Sequence, residues 1–114
     1  MKNTFELEHV GINTDNAGEA EQLALLLCKL FNLEPRHGQK SEFAGNYFEC
    51  MKSPFLGKNG HIAVATTSVL RAKAYLEGQG FEFDESTAKY KGTKLNAIYL
   101  KDEIGGFAIH LLQK

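Results

Sequence analysis

Tryptophan is absent from this chain, and proline, cysteine and methionine occur only twice each in 114 residues. Two cysteines, Cys28 and Cys50, cannot build the disulfide framework of a small secreted domain, and they are not paired at metal-binding spacing. Both read as buried thiols in a reducing compartment, which places the protein in the cytoplasm. No segment approaches the roughly 18 apolar residues of a membrane helix, and Met1 to Glu8 has no apolar stretch of signal-peptide length. The expectation is a soluble, unprocessed chain with no membrane partner. Formal net charge is −1, with Lys and Arg spread from end to end. That leaves neither a basic block for nucleic acid nor an acidic solvating arm. A phosphate-cradling glycine loop is missing too, because Gly105-Gly106 turns into a strand and lacks the strand-to-helix context such a loop needs. The length fits one domain, and folding at this size buries roughly two-thirds of the unfolded chain's surface, enough for a core without staples.

What the chain does contain is a repeated phrase. Gly60-His61-Ile62-Ala63-Val64-Ala65-Thr66 echoes Glu8-His9-Val10-Gly11-Ile12-Asn13-Thr14: in each, a histidine leads an alternating run of β-branched and small residues that breaks into a helix cap. Around the first copy, Phe5 to Asn13 alternates as a strand, with Val10 and Ile12 on the core side and Leu7, His9, Gly11 and Asn13 on the other. Asn16-Ala17-Gly18-Glu19 has the form of a capping box. The helix it opens runs to about Phe31, with Ala20, Leu23, Ala24, Leu27, Leu30 and Phe31 as its apolar stripe. Asn32 is the left-handed stop, and Pro35 forbids resumption. Glu34 to Met51 reads as two or three short strands with breaks near Gly38 and at Gly45-Asn46; in the best of them Phe48 and Cys50 share one face, Tyr47, Glu49 and Met51 the other.

The second copy repeats the grammar. A strand from Gly60 to Thr66 leads to a cap at Thr67 or Ser68, and a helix carries Val69, Ala72, Tyr75 and Leu76 to a stop at Gly78 or Gly80. Strands follow at Phe81 to Asp84, Asn96 to Lys101 and Gly106 to Leu112. The reading is therefore one α+β domain, 1–114, built of two β-α-β-β-β modules: about 5–52, a linker 53–59 without pattern, and about 60–114.

Alternation assigns faces. With Ile62, Val64, Ile109 and Leu111 toward the helices, His61 and His110 point the other way, as do His9 and Glu49. Gly11, Ala63, Ala65 and Ala108 leave room beside them. Three imidazoles and a carboxylate from four strands suit Zn, Ni, Co, Fe or Mn and leave a position for substrate or water. Asn13, Tyr47, Met51 and Tyr99 fall on the same face and form the candidate substrate pocket. His37 is expected at the surface or rim, and Lys89 to Lys94 as solvated loop charge.

On these residues the chain resembles the vicinal oxygen chelate superfamily of glyoxalase I, fosfomycin- and bleomycin-resistance proteins, methylmalonyl-CoA epimerase and extradiol dioxygenases. A narrower likeness, in Phe5 to Asn13 and Tyr99 to Phe107, is to a module fused to some bacterial 2-keto-3-deoxy-6-phosphogluconate/4-hydroxy-2-oxoglutarate aldolases. The resemblance implies a cupped, mostly antiparallel sheet with metal ligands on the first and last strands of each module. Carried over, these are His9, Glu49, His61 and, where enzymatic members usually have Glu, His110. That exchange removes one negative charge, which weakens affinity for a hard divalent ion and leaves the ion more electrophilic. The activity implied is that of a metal-dependent lyase or isomerase acting on a small α-oxygenated carbonyl compound, with Glu49 or His110 as proton carrier. The alternative is a non-catalytic ligand-binding or regulatory module associated with keto-acid or sugar-acid aldolase metabolism. A ring-cleaving dioxygenase would place a carboxylate where His110 stands. Related chains commonly form homodimers, which is the expected assembly.

Overall fold

A computed structural model of the chain describes residues 4–114. The first half forms β1 (Phe5–Asn13), α1 (Ala17–Phe31), β2 (Pro35–His37), β3 (Ser41–Ala44) and β4 (Phe48–Met51); the second forms β5 (Gly60–Thr66), α2 (Val69–Gly78), β6 (Phe83–Lys91), β7 (Lys94–Leu100) and β8 (Phe107–Gln113). Each helix begins where a side chain satisfies an orphan amide. Asn16 Oδ1 accepts from Glu19 N at 2.9 Å, and Ser68 Oγ accepts from Arg71 N at 3.2 Å. Glu19 completes the first cap from the other side, accepting from Asp15 N at 3.3 Å. After the helices the chain turns left-handed at Asn32 (φ 54°) and at Gly80 (φ 97°).

The strands make one mixed eight-stranded sheet in the order β2-β3-β4-β1-β5-β8-β7-β6. Within each half the first strand runs parallel to the last, β1 with β4 and β5 with β8, and every other pairing is antiparallel. The halves join through β1 and β5, so the two histidine-led strands lie side by side at the centre. The fold is α+β, with a cupped open sheet. Among the described residues no helix is long and apolar enough to cross a membrane.

Both helices cover the same face of the sheet. Ala20 and Ala24 of α1 pack on Cys50 with Leu23 and Leu27 at the margin; Val69 and Ala72 of α2 pack with Phe83, Leu95, Ile98 and Leu111. Burying a side chain such as Ile98 or Leu111 contributes roughly 1.5–3 kcal/mol. Cys28 is buried beside this cluster as expected, but Leu30 and Phe31 are not part of the stripe: they are 63% and 58% exposed. Phe31 instead stacks on Phe48 at 6.1 Å, past the end of the sheet's cover.

Two strand readings change. An extra residue at Glu8 puts Leu7 opposite Val64 and His9 opposite Ala63, so alternation does not carry through and Leu7 leaves the face of His9. The expected strand at Phe81 to Asp84 is β6, starting at Phe83 and running on to Lys91. It pairs with β7 around a two-residue loop at Gly92-Thr93, with Gly92 at φ 65°. Its polar run Asp84-Glu85-Ser86-Thr87 has no apolar period because β6 is the edge of the sheet. Lys89 and Lys91 therefore stand on a strand, where loop charge was expected.

Candidate metal centre

The uncovered face of the sheet presents its residues in rows. Across β4, β1, β5 and β8 one row reads Glu49, Gly11, His61, Ala108. The adjacent row, across β1, β5, β8 and β7, reads His9, Ala63, His110, Tyr99. Only small residues separate the functional ones, so the long side chains can lean together over them.

Three of them meet within one chain. His9 Nε2 lies 3.3 Å from His61 Nε2, and Glu49 Oε1 lies 3.2 Å from His61 Nε2 and 3.5 Å from His9 Nε2. Donors bound to zinc at 2.0–2.1 Å stand about 3.3–3.4 Å apart in a tetrahedral site and about 2.9 Å apart in an octahedral one. The triangle thus fits one small divalent ion with a tetrahedral preference. Nitrogen, nitrogen and carboxylate oxygen are borderline donors for Zn, Ni, Co, Fe or Mn.

The surroundings hold this triangle ready. Ser41 Oγ donates to Glu49 Oε2 at 2.9 Å, which fixes the carboxylate and leaves Oε1 for the histidines. The bond with His61 draws the Glu49 carboxyl below its usual range against the opposing effect of burial, with Ser41 adding to it. Burial lowers His9, and the neighbouring His61 lowers it further, while Glu49 pulls the other way. Both directions favour the unprotonated state that a metal requires.

His61 is held at a cost. The residue is 4% exposed, and its Nδ1 has no hydrogen-bond partner among the described residues. Either tautomer leaves that atom unpaired, a cost of about 1–3 kcal/mol. The ring fits only because its partner on β1 is glycine: a Cβ at Gly11 would lie 2.0 Å from His61 Cε1. Glycine at position 11 keeps the space for this ring clear, while Nδ1 stays unpaired whichever group Nε2 meets.

The triangle opens into a cavity of about 460 Å3 whose wall includes Met51, Tyr99 and His110, with Phe55, Leu56, Leu112 and the β6 residues Ser86 to Lys89. His110 does not join the three donors. It is separated from His9 by β5, and its ring lies flat on Tyr99, centroids 4.1 Å apart and planes 3° apart. Burial chiefly pushes His110 down to about 4, with the charges of His61, His9 and Lys89 in the same direction. Burial, with Glu49 adding, pushes the Tyr99 hydroxyl up to about 12. His110 is therefore a neutral imidazole, and Tyr99 a neutral phenol, at physiological pH.

Two residues expected in the pocket do other work. Tyr47 lies in the turn before β4, where period two does not reach, and is 60% exposed on an outer groove with Phe31 and Phe48. Asn13 binds backbone: Nδ2 donates to Gly57 O at 2.9 Å and Oδ1 accepts from Phe55 N at 3.1 Å. It pins the loop that brings Phe55 and Leu56 to the cavity. Ser41, Phe55 and Leu56 went unread in the sequence, and Lys89, expected as loop charge, is brought to the cavity by β6. Phe55-Leu56 after Pro54 is the one apolar pair in an otherwise polar linker, and that was the available signal; Ser41 offers none.

A second grouping of possible ligands, Glu21, His37 and Glu42, lies on the helix side of β2 and β3. His37 is at the surface, as expected, with a side chain 79% exposed, and it bonds directly to the buried Glu42 carboxylate. Gly38 N and Lys52 Nζ also face Glu42, at 3.4 and 3.7 Å. These partners outweigh burial and hold the carboxyl low. Glu42 is thus already compensated as a buried structural charge.

No protein-family model matches the sequence, and no curated protein does. Among solved structures the fold is similar to the crystal structure of a hypothetical protein from Bacillus halodurans C-125, with a TM-score of 0.65 over 97% of this chain and 95% of that one. Identity is 16%, so the likeness concerns the fold alone.

Proposed function

We propose that the chain is a metal-dependent lyase or isomerase of the vicinal oxygen chelate superfamily, acting on a small α-oxygenated carbonyl compound such as a keto acid. The observation that carries this is the His9, Glu49, His61 triangle, with donor separations of 3.2–3.5 Å, at the floor of a cavity large enough for a small molecule. The paired halves meeting through β1 and β5 support the superfamily assignment. A divalent transition ion held by His9, Glu49 and His61 would supply Lewis acidity toward two adjacent substrate oxygens.

The chain's own groups divide the remaining work. His110 lines the same cavity, which places its imidazole, a weaker base than free histidine because it is buried, to take a proton from the carbon next to a carbonyl and return it elsewhere. Tyr99, stacked on it, fixes the ring plane. Glu49 is the second candidate for proton transfer, its free oxygen oriented by Ser41. Phe55, Leu56 and Leu112 supply the cavity's apolar side.

Deuterium exchange tests this reading. Small keto acids incubated in D2O with metal-loaded protein should gain deuterium next to the carbonyl, and His110→Gln should abolish the gain without releasing metal. Exchange at the same rate in His110→Gln contradicts the role given to His110. One observation favours the second reading, a non-catalytic module binding a keto acid or sugar acid and regulating an aldolase: His110 rests on Tyr99, outside the donor triangle. That reading predicts ligand-dependent thermal stabilisation with no exchange.

A further inference from the structure

Resting on that reading of the site, we infer that the ligand carries a second anionic group remote from its chelating end, and that Lys89 of β6 binds it. Glu49 is the sole carboxylate, and Lys89 the sole ammonium, among the residues that line the cavity. With neutral histidine ligands and a divalent ion, the cavity therefore holds two surplus positive charges. Lys89 stands exposed at the cavity's rim, so a dianion meets both charges where a monoanion meets one.

Position separates the two charges. Lys89 pairs with Ala97 of β7, which pairs with Leu112 of β8, so its side chain shares the face of His110 and Tyr99. From β5, which carries His61, β6 is three strand spacings away, about 14 Å along a flat sheet and less across a cup. A bare α-oxo acid is about 3 Å long and cannot bridge that separation. A longer chain ending in carboxylate or phosphate can.

Lys89 is also free to bind. Among the described residues it pairs with no carboxylate, nor do Lys29, Lys40, Lys58, Lys91 and Lys94, and of these Lys89 alone lines the cavity. The hydroxyls beside it are already engaged: Ser86 Oγ donates to Asp84 Oδ1, and Thr87 Oγ1 donates to Asp84 O while accepting from Tyr99 N. Between Lys89 and the donor triangle the wall is mainly apolar, which suits the carbon chain of such a ligand and neither of its ends.

Calorimetric titration of zinc-loaded protein tests this, with 2-oxoglutarate, 3-phosphoglycerate and 2-oxopentanoate as probes and zinc content measured on the same samples. The wild type should bind 2-oxoglutarate or 3-phosphoglycerate, which carry a second anionic group, about 10-fold or more tighter than the monoanion 2-oxopentanoate. The first two probes distinguish carboxylate from phosphate. Lys89→Met should erase the preference with zinc retained, and Lys89→Arg should keep part of it. Equal affinities in the wild type, or a preference unchanged in Lys89→Met with zinc bound, overturn the role of Lys89 and leave the metal site standing. A wild type that takes up no zinc overturns both.

Discussion

The imidazole of His61 occupies the space that a side chain at Gly11 would fill: the two residues face each other across β1 and β5, and a Cβ at position 11 would sit 2.0 Å from the ring. Gly11→Ala should therefore expel the ring from the donor triangle. Metal affinity should fall about 10–100-fold, and overpacking should cost about 1–3 kcal/mol in chemical denaturation. Wild-type metal affinity in this variant would show that the ring does not need that space.

Ser41 acts through Glu49. Removing its hydroxyl in Ser41→Ala frees Glu49 Oε2 and lets the carboxylate rotate. Competitive metal titration should show roughly 10-fold weaker binding with the fold intact by circular dichroism. Full affinity would mean that the histidines alone set the carboxylate's position.

His110 predicts a pH dependence of stability. Its folded pKa, about 4, lies below the ordinary value of 6.5, so between those values the unfolded chain binds the extra proton. Stability contributed by the neutral ring is thus complete above about pH 6.5 and is lost as pH falls toward 4, at most about 3 kcal/mol. Urea denaturation of metal-free protein at pH 7 and 4.5 should show this decline, and His110→Asn should reduce it. An equal decline in the variant would assign the effect to other groups.

Asn13→Ala should release the loop at Phe55 to Gly57, which its side chain holds by three bonds. Hydrogen exchange at Phe55 N should quicken, with global stability down by about 1–2 kcal/mol. Unchanged protection there would mean that backbone bonds alone hold the loop.

The architecture was legible because both halves write strand, cap and helix in strong local signals. Asn16, Ser68, Asn32 and Gly80 mark the ends of helices by side-chain and backbone chemistry that does not depend on the rest of the chain. His9, Glu49 and His61 were legible because alternation fixes a face and the repeat fixes a register. Legibility failed where context overrides period: the extra residue at Glu8 flips Leu7, the turn at Gly45 to Tyr47 takes Tyr47 out of the strand, and the edge position of β6 lets a polar run form a strand that carries Lys89 to the cavity. Ring stacking also lies beyond pattern. His110 and Tyr99 share a face by alternation, but only the register of β7 against β8 sets them side by side.

Metal content is the most direct measure of the central claim. Elemental analysis of protein purified without a metal-binding tag and equilibrated with zinc should find one ion per chain, with that ion lost in His61→Ala and retained in His37→Ala. No bound ion in the wild type, or the same content in His61→Ala, would contradict a metal centre at His9, Glu49 and His61.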